Sequence, residues 1–172
     1  MGLLSSNEFN NLNDLFLNQL EDLYDAEIRL TEALPKMADA ATSQELKGAF
    51  KHHLEQTRGH ARRLEQIFNK LGKEPQRETC EAMKGLIREG SEMISAKGDP
   101  TVHDAALIAA AQRVEHYEMA GYGTVRTFAQ HLGMSDVANT LQQTLNEEGE
   151  TDKLLTQIAE TTINTQAHSA AI

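Results

Sequence analysis

DAALIAAAQRVEHYEMAGYGT, residues 104–124, decides the fold. Ala111, Glu115, Glu118, Tyr122 and Val125 recur at three- and four-residue spacing, so at 100° per residue they share one helix face, which Ala129 and Leu132 extend. Two positions of this inward stripe are carboxylates. Asp99 followed by Pro100 is the N-cap and first-turn proline pair that opens the helix, and Gly133 closes it.

Downstream, Ser135 reads as the cap of a fourth long helix with Val137, Leu141, Thr144, Glu148, Leu155, Ile158 and Thr162 inward. Asp152 lies one turn beyond Glu148, and the polar tail from about Asn164 is expected to fray. Upstream, Ser5 with Glu8 forms a capping box before the stripe Leu12, Phe16, Leu23, Leu30, Leu34, Met37 and Ala41. Pro35 should kink the end of that helix. Glu27 flanks the Leu23 and Leu30 stripe, whereas Asp22, Asp25, Glu32, Glu55 and Glu65 read as solvated surface. Thr42 with Glu45 opens a second helix whose inward stripe is Leu46, Phe50, His53, Thr57, Ala61, Leu64, Phe68 and Leu71, ended by Gly72. Residues 73–98 carry a short amphipathic helix interrupted by Gly85 and Gly90. The expected architecture is all-α: a single domain over 1–172, helical from about 6 to 165. Two antiparallel hairpins, joined by a long crossover containing the short helix, make a four-helix bundle.

Charge and composition exclude several function classes. The 172 residues carry 16 Lys plus Arg against 26 Asp plus Glu, a net charge of -10, which argues against nucleic acid as a partner. Cys80 is the single cysteine, so neither an intrachain disulfide nor a cysteine zinc site is available. No apolar run approaches the roughly 20 residues of a membrane helix, and MGLLSSNEF lacks the basic start and apolar stretch of a signal peptide. A cytoplasmic protein with no membrane partner is expected.

Antiparallel partners equidistant from their link lie side by side, which gives the height of each polar residue. About the first link, near Thr42, Glu27 pairs with Thr57, with His53, Gln56 and His60 within about a turn. About the second, near Gly133, Glu118 pairs with Glu148, with Glu115 and Asp152 one turn deeper. Carboxylates about 4 Å apart repel by roughly 4 kcal/mol at an effective dielectric of 20. Five acids in one layer therefore need compensation, and carboxylate with imidazole suits iron, manganese or zinc, so a two-metal centre is the sharper reading. The alternative is that edge acids reach solvent or pair with Arg58, Arg62 or Arg113. Tyr122 stands where it can hydrogen-bond a ligand carboxylate. No separate organic substrate pocket is evident from the sequence.

Four segments carry a family resemblance: LYDAEIRLTEALPKMA (23–38), HHLEQTRGHARRLEQIF (52–68), the opening stretch, and LNEEGETDKLL (145–155). Over nearly its full length the chain resembles the YciF-like bacterial stress-protein family of the ferritin-like, rubrerythrin-like superfamily. That resemblance implies a dinuclear metal motif, membership in a stress response and a homodimer; a function built on two such metals has dioxygen or peroxide as its small oxidant. Carried over by position, it gives Glu27 from the first helix, Glu115 and Glu118 from the third, and Glu148 from the fourth, with Asp152 where a histidine often stands. The second helix offers His53, Gln56 and His60, with an amide where a carboxylate is expected. No Glu-x-x-His tetrapeptide occurs. Two divalent ions are implied, iron first and manganese or zinc as alternatives. A non-catalytic structural or interaction bundle, with a degenerate or purely stabilising metal site, is the competing function.

Overall fold

Asn11 opens the first helix, its side chain accepting from the Asp14 N–H, in the computed structural model, which describes residues 8–169. Helix α1 spans Leu12–Ala40, so it begins later than expected; Ser5 of the anticipated capping box lies outside the described residues, and Glu8 precedes the helix. Pro35 sits inside α1 without ending it. Helix α2 (Gln44–Lys70) is capped by Ser43 rather than Thr42. The reason lies across the bundle: the buried Asp104 carboxylate accepts from Thr42 N–H (2.8 Å), Thr42 Oγ1 (2.7 Å) and Ser43 N–H (2.7 Å), drawing Thr42 away from the cap.

Helix α3 (Glu81–Ser95) is the crossover, capped by Cys80, whose Sγ accepts from Met83 N–H at 3.3 Å. Gly85 and Gly90 lie within it and do not interrupt it. Helix α4 (Pro100–His131) starts as read, with the Asp99 side chain accepting from Thr101 and Val102 N–H. Helix α5 (Ser135–Ile158) has Ser135 as its first residue, with Met134 in the cap position and no side-chain cap bond. The chain continues through a π-helical turn, Ala159–Ile163, into α6 (Asn164–Ser169), so the tail is helical where fraying was expected. Gly72 and Gly133, at φ +66° and +76°, supply the left-handed residue after α2 and α4.

Helix α1 pairs with α2, α4 with α5, and the two hairpins join through α1 against α4 and α2 against α5, with α3 laid on α1 and α4. Among the described residues there is no strand, and no helix is long and apolar enough to cross a membrane. The fold is an all-α bundle of two hairpins and a helical crossover. Its apolar core is divided into two compartments. One gathers Phe16, Leu20, Leu64, Phe68, Val125 and Leu141; the other gathers Leu30, Phe50, Met83, Leu107, Val114 and Leu155. Each long helix places its buried polar residues at the boundary between them: Glu27, then His53 to His60, then Glu115 and Glu118, then Glu148.

Candidate metal centre

Glu27, His60 and Glu118 are fully buried, as is Glu148, while His53 and Glu115 are 2 % exposed. Their donor atoms form two groups, His53, Glu115, Glu118 and Glu148 in one and Glu27, His60 and Glu148 in the other, each with its atoms within 4.8 Å of one another. Glu148 belongs to both. Its Oε1 lies 2.8 Å from His60 Nδ1 and its Oε2 3.7 Å from His53 Nε2, while His53 Nε2 is 3.3 Å from Glu115 Oε1 and His60 Nδ1 3.4 Å from Glu27 Oε1.

These short approaches are not aligned as hydrogen bonds. Among the described residues, His53 Nε2, His60 Nδ1, Glu27 Oε2, Glu115 Oε2 and both oxygens of Glu118 and Glu148 are buried without a partner. A buried polar atom without a partner costs about 1–3 kcal/mol, and more when charged, so eight together require a common partner. Lone pairs of carboxylate and imidazole converging in one layer are the donor set of a hard or borderline divalent cation. The residues fit that group.

The atoms facing away from the cluster are satisfied. His60 Nε2 meets Glu147 Oε2 at 2.8 Å, and Glu147 takes a forked contact from Arg63, at 2.7 and 2.8 Å. Thr151 Oγ1 donates to the Glu147 carbonyl (3.1 Å) and lies 3.2 Å from His53 Nδ1. In neutral His53, Nδ1 is therefore the donor to Thr151 and Nε2 keeps the lone pair that points into the cluster. The Tyr122 hydroxyl donates to Glu27 Oε1, as its sequence position suggested.

Without a cation the cluster holds protons. Burial, joined by repulsion from Glu27 and Glu148, pushes Glu118 well above the usual carboxylate range, and burial likewise raises Glu27 and Glu148. Burial opposes charge on the imidazoles, but neighbouring carboxylates outweigh it and carry His53 up to about 9 and His60 up to about 11. Glu147 goes the other way: despite burial, Arg63 and His60 hold it down to about 2.

Two further residues proposed from the sequence, Gln56 and Asp152, have other partners. Gln56 is at the edge of the α2 stripe, its Oε1 accepting from Thr151 at 3.4 Å. Asp152 turns to the α4 flank, where Oδ1 accepts from Gln112 at 3.0 Å and lies 3.4 Å from His116. Asp25, read as solvated, is buried; its carboxylate accepts from Cys80 N–H (2.9 Å), Arg77 Nε (2.9 Å) and Arg29, and so anchors the start of α3. Glu147 was missed because it lies about 100° from Glu148, where helical periodicity alone predicts surface; Thr151 completes the three- and four-residue spacing from Glu148 to Leu155 on the buried face of α5, and that spacing could have found it. The Tyr117 hydroxyl donates to Asp22 and lies 3.0 Å from Cys80 Sγ, a contact spanning 37 residues that no local spacing announces.

A family model described as "Domain of unknown function (DUF892)" matches residues 11–168. Protein YciF of Escherichia coli (strain K12) is 44% identical over 161 residues, covering 93% of this chain and 97% of that protein. The crystal structure of the E. coli stress protein YciF superposes with a TM-score of 0.87, covering 91% of this chain and 99% of the other at 44% identity. YcfI of Rhodopseudomonas palustris, for which a structural role has been put forward, gives 0.86 at 43% identity over 90% and 98% of the two chains. A ferritin-like, diiron-carboxylate protein of Bacillus anthracis gives 0.66 at 17% identity over 88% of this chain and 99% of that one, a likeness of fold. With its model matched over nearly the whole length, the chain belongs to the DUF892 family, is a relative of the stress protein YciF, and is built as a ferritin-like helical bundle.

Proposed function

We propose that this is a stress-response protein whose bundle holds two divalent metal ions and reacts with dioxygen or peroxide. The observation that supports it best is Glu148, one carboxylate shared by two groups of inward, partnerless donors. Glu27, His60 and Glu148 would hold one ion, and His53, Glu115, Glu118 and Glu148 the other. Iron is the first candidate, with manganese or zinc as alternatives; bound there, iron or manganese supplies redox-active cations able to pass electrons to a small oxidant. The chain's own part is to position and to enclose. Arg63 and Glu147 orient His60, Thr151 orients His53, Tyr122 steadies Glu27, and the two apolar compartments keep bulk water from the layer. A cytoplasmic homodimer completes the proposal.

Element analysis of protein purified without added metal or chelator, with a mass measurement in solution, tests occupancy and the dimer together. Anomalous diffraction from crystals grown with iron or manganese should place two scatterers, each within about 2.5 Å of a Glu148 oxygen. Scatterers elsewhere, or none at saturating metal, would overturn the reading. The amide at Gln56 and the lack of a Glu-x-x-His pair favour a second reading, a structural bundle whose metal serves stability. Full metal occupancy with no consumption of peroxide or dioxygen would select it.

A further inference from the structure

A cavity of about 140 Å³ lies between α1, α3 and α4, and Glu115, a member of the buried cluster, is among the residues that line it. Its walls are mostly apolar, including Leu30, Met37, Ile87, Ile94, Ala111 and Val114, while Ser91 and the charged Arg29, Glu32, Lys36 and Glu115 supply the polar remainder. Gly90 lines it too, and its presence needs a reason. It is buried in the interior of α3, where glycine is the least favourable residue after proline. Its backbone is not left-handed, and a Cβ added there would meet no atom within 4 Å. Neither a turn nor a close approach explains it, so the missing side chain leaves room.

The size and polarity of that room restrict its occupant. Dry, apolar-walled cavities of about 150 Å³ take a benzene-sized molecule. The charges at the mouth balance. Arg29 is already paired with Asp25, and exposed Glu32 and Lys36 stand one turn apart on α1 with opposite signs. Neither an anion nor a cation is favoured.

We propose that this cavity is a binding site for a small uncharged apolar molecule, about one aromatic ring in size, held beside Glu115. No such pocket was evident from the sequence alone. Binding does not depend on a metal ion; only a role as co-substrate rests on the proposed metal centre.

Fluorine NMR of fluorobenzene titrated with the full chain, chelated and metal-loaded, tests it. Saturable binding is expected in both states. Gly90→Leu should abolish it while metal-to-protein ratio and helicity stay at the wild-type level; Gly90→Ala should raise the melting temperature and weaken binding several-fold. If Gly90→Leu fails to fold, Gly90→Ala and Ala111→Val carry the comparison. No saturable binding to the wild type, equal binding in all variants, or binding of benzoate in place of fluorobenzene would overturn the proposal. So would a solution mass that falls in Gly90→Leu with no fluorobenzene binding in the wild type, since a second copy would then cover this face. Fluorobenzene binding to a protein that takes up no metal would sink the metal reading and leave the cavity assignment standing.

Discussion

Replacing Glu118 by Gln should stabilise the metal-free protein and weaken its hold on metal, a reversal of sign that a merely structural carboxylate does not produce. Glu115, Glu118 and Glu148 present oxygens within 4.8 Å of one another, and at an effective dielectric of about 20 each ionised pair repels by about 3 kcal/mol. Three such pairs would approach the whole stability of a domain, so the metal-free fold keeps protons instead. Burial and the neighbouring carboxylates raise Glu118 well above its ordinary value. A raised folded-state pKa means that the folded protein binds the extra proton. The stability is full below the unfolded pKa and is lost as pH rises toward the folded one. Each such proton changes stability by about 1.4 kcal/mol per pH unit, or about 4 kcal/mol between pH 5 and 8 if it is kept throughout. For a chain of this size that is a fall of roughly 8–16 °C in Tm. His53 and His60, raised to about 9 and about 11, add losses of the same sign above about pH 6.5. Glu147, held down to about 2, contributes stability that disappears only as pH falls from about 4.5 toward 2. Chelated wild type should therefore melt highest near pH 4.5, where the raised carboxylates have not yet begun to lose stability and Glu147 has not yet been protonated, and decline steadily above it. Thermal melts followed by circular dichroism from pH 5 to 8 check this. Glu118→Gln should remove about one proton's worth of slope, and saturating metal should flatten the wild-type profile. A flat or rising Tm in chelated wild type, or an unchanged slope in Glu118→Gln, would refute the reasoning.

Three further outcomes follow from the geometry. Glu148→Gln should cost both metal ions whereas Glu27→Gln costs one, because only Glu148 stands in both donor groups; metal-to-protein ratios after identical dialysis check it, and Gln56→Glu should add nothing, since that side chain faces Thr151. Thr151→Val keeps the side-chain shape but removes the acceptor for His53 Nδ1, so metal affinity in competition with a chromophoric chelator should fall about 10- to 100-fold, and the chelated protein should lose about 1–3 kcal/mol in denaturant melts because the buried Nδ1 is left without a partner. Gly121→Ala should lower stability by about 1 kcal/mol in denaturant melts, because the new Cβ would sit 2.7 Å from Cδ2 of the buried Leu23 and that side chain would have to shift within the packed core.

The sequence was most informative where a helix signal and a chemical signal coincide. The apolar stripes, Asp99–Pro100, Gly72 and Gly133 place the ends of the four long helices to within a few residues, the start of α1 excepted, because periodicity and left-handed stops are local properties. Counting outward from the two links brought Glu27, Glu115, Glu118, Glu148, His53 and His60 to one height, and the structure brings their donors together. The caps were less legible. Thr42 and Ser43 both satisfy the local rule for an N-cap, and the choice is made by Asp104, 61 and 62 residues away. Rotation about each helix was legible only to about half a quadrant. Asp152 and Gln56 lie close enough to the inward direction to pass a periodicity test, yet one is claimed by Gln112 on α4 and the other by Thr151 on α5.

The same limit explains why the supporting residues escaped notice while the cluster did not. A carboxylate on an apolar stripe violates the local pattern and is visible in one sequence. Glu147 violates nothing: it sits where a surface acid belongs, and only the docking of α5 on α2 turns it toward His60 and Arg63. Asp25 is hidden for a related reason, since the crossover that buries it arrives 55 residues later through Cys80. The cavity beside Glu115 is less legible still, because Gly90 reads in sequence as a helix breaker and becomes an absence of volume only once α3 is laid on α1 and α4. Ligand atoms are thus written into the helix pattern. What orients them, and what room is left beside them, is written in the pairing of helices.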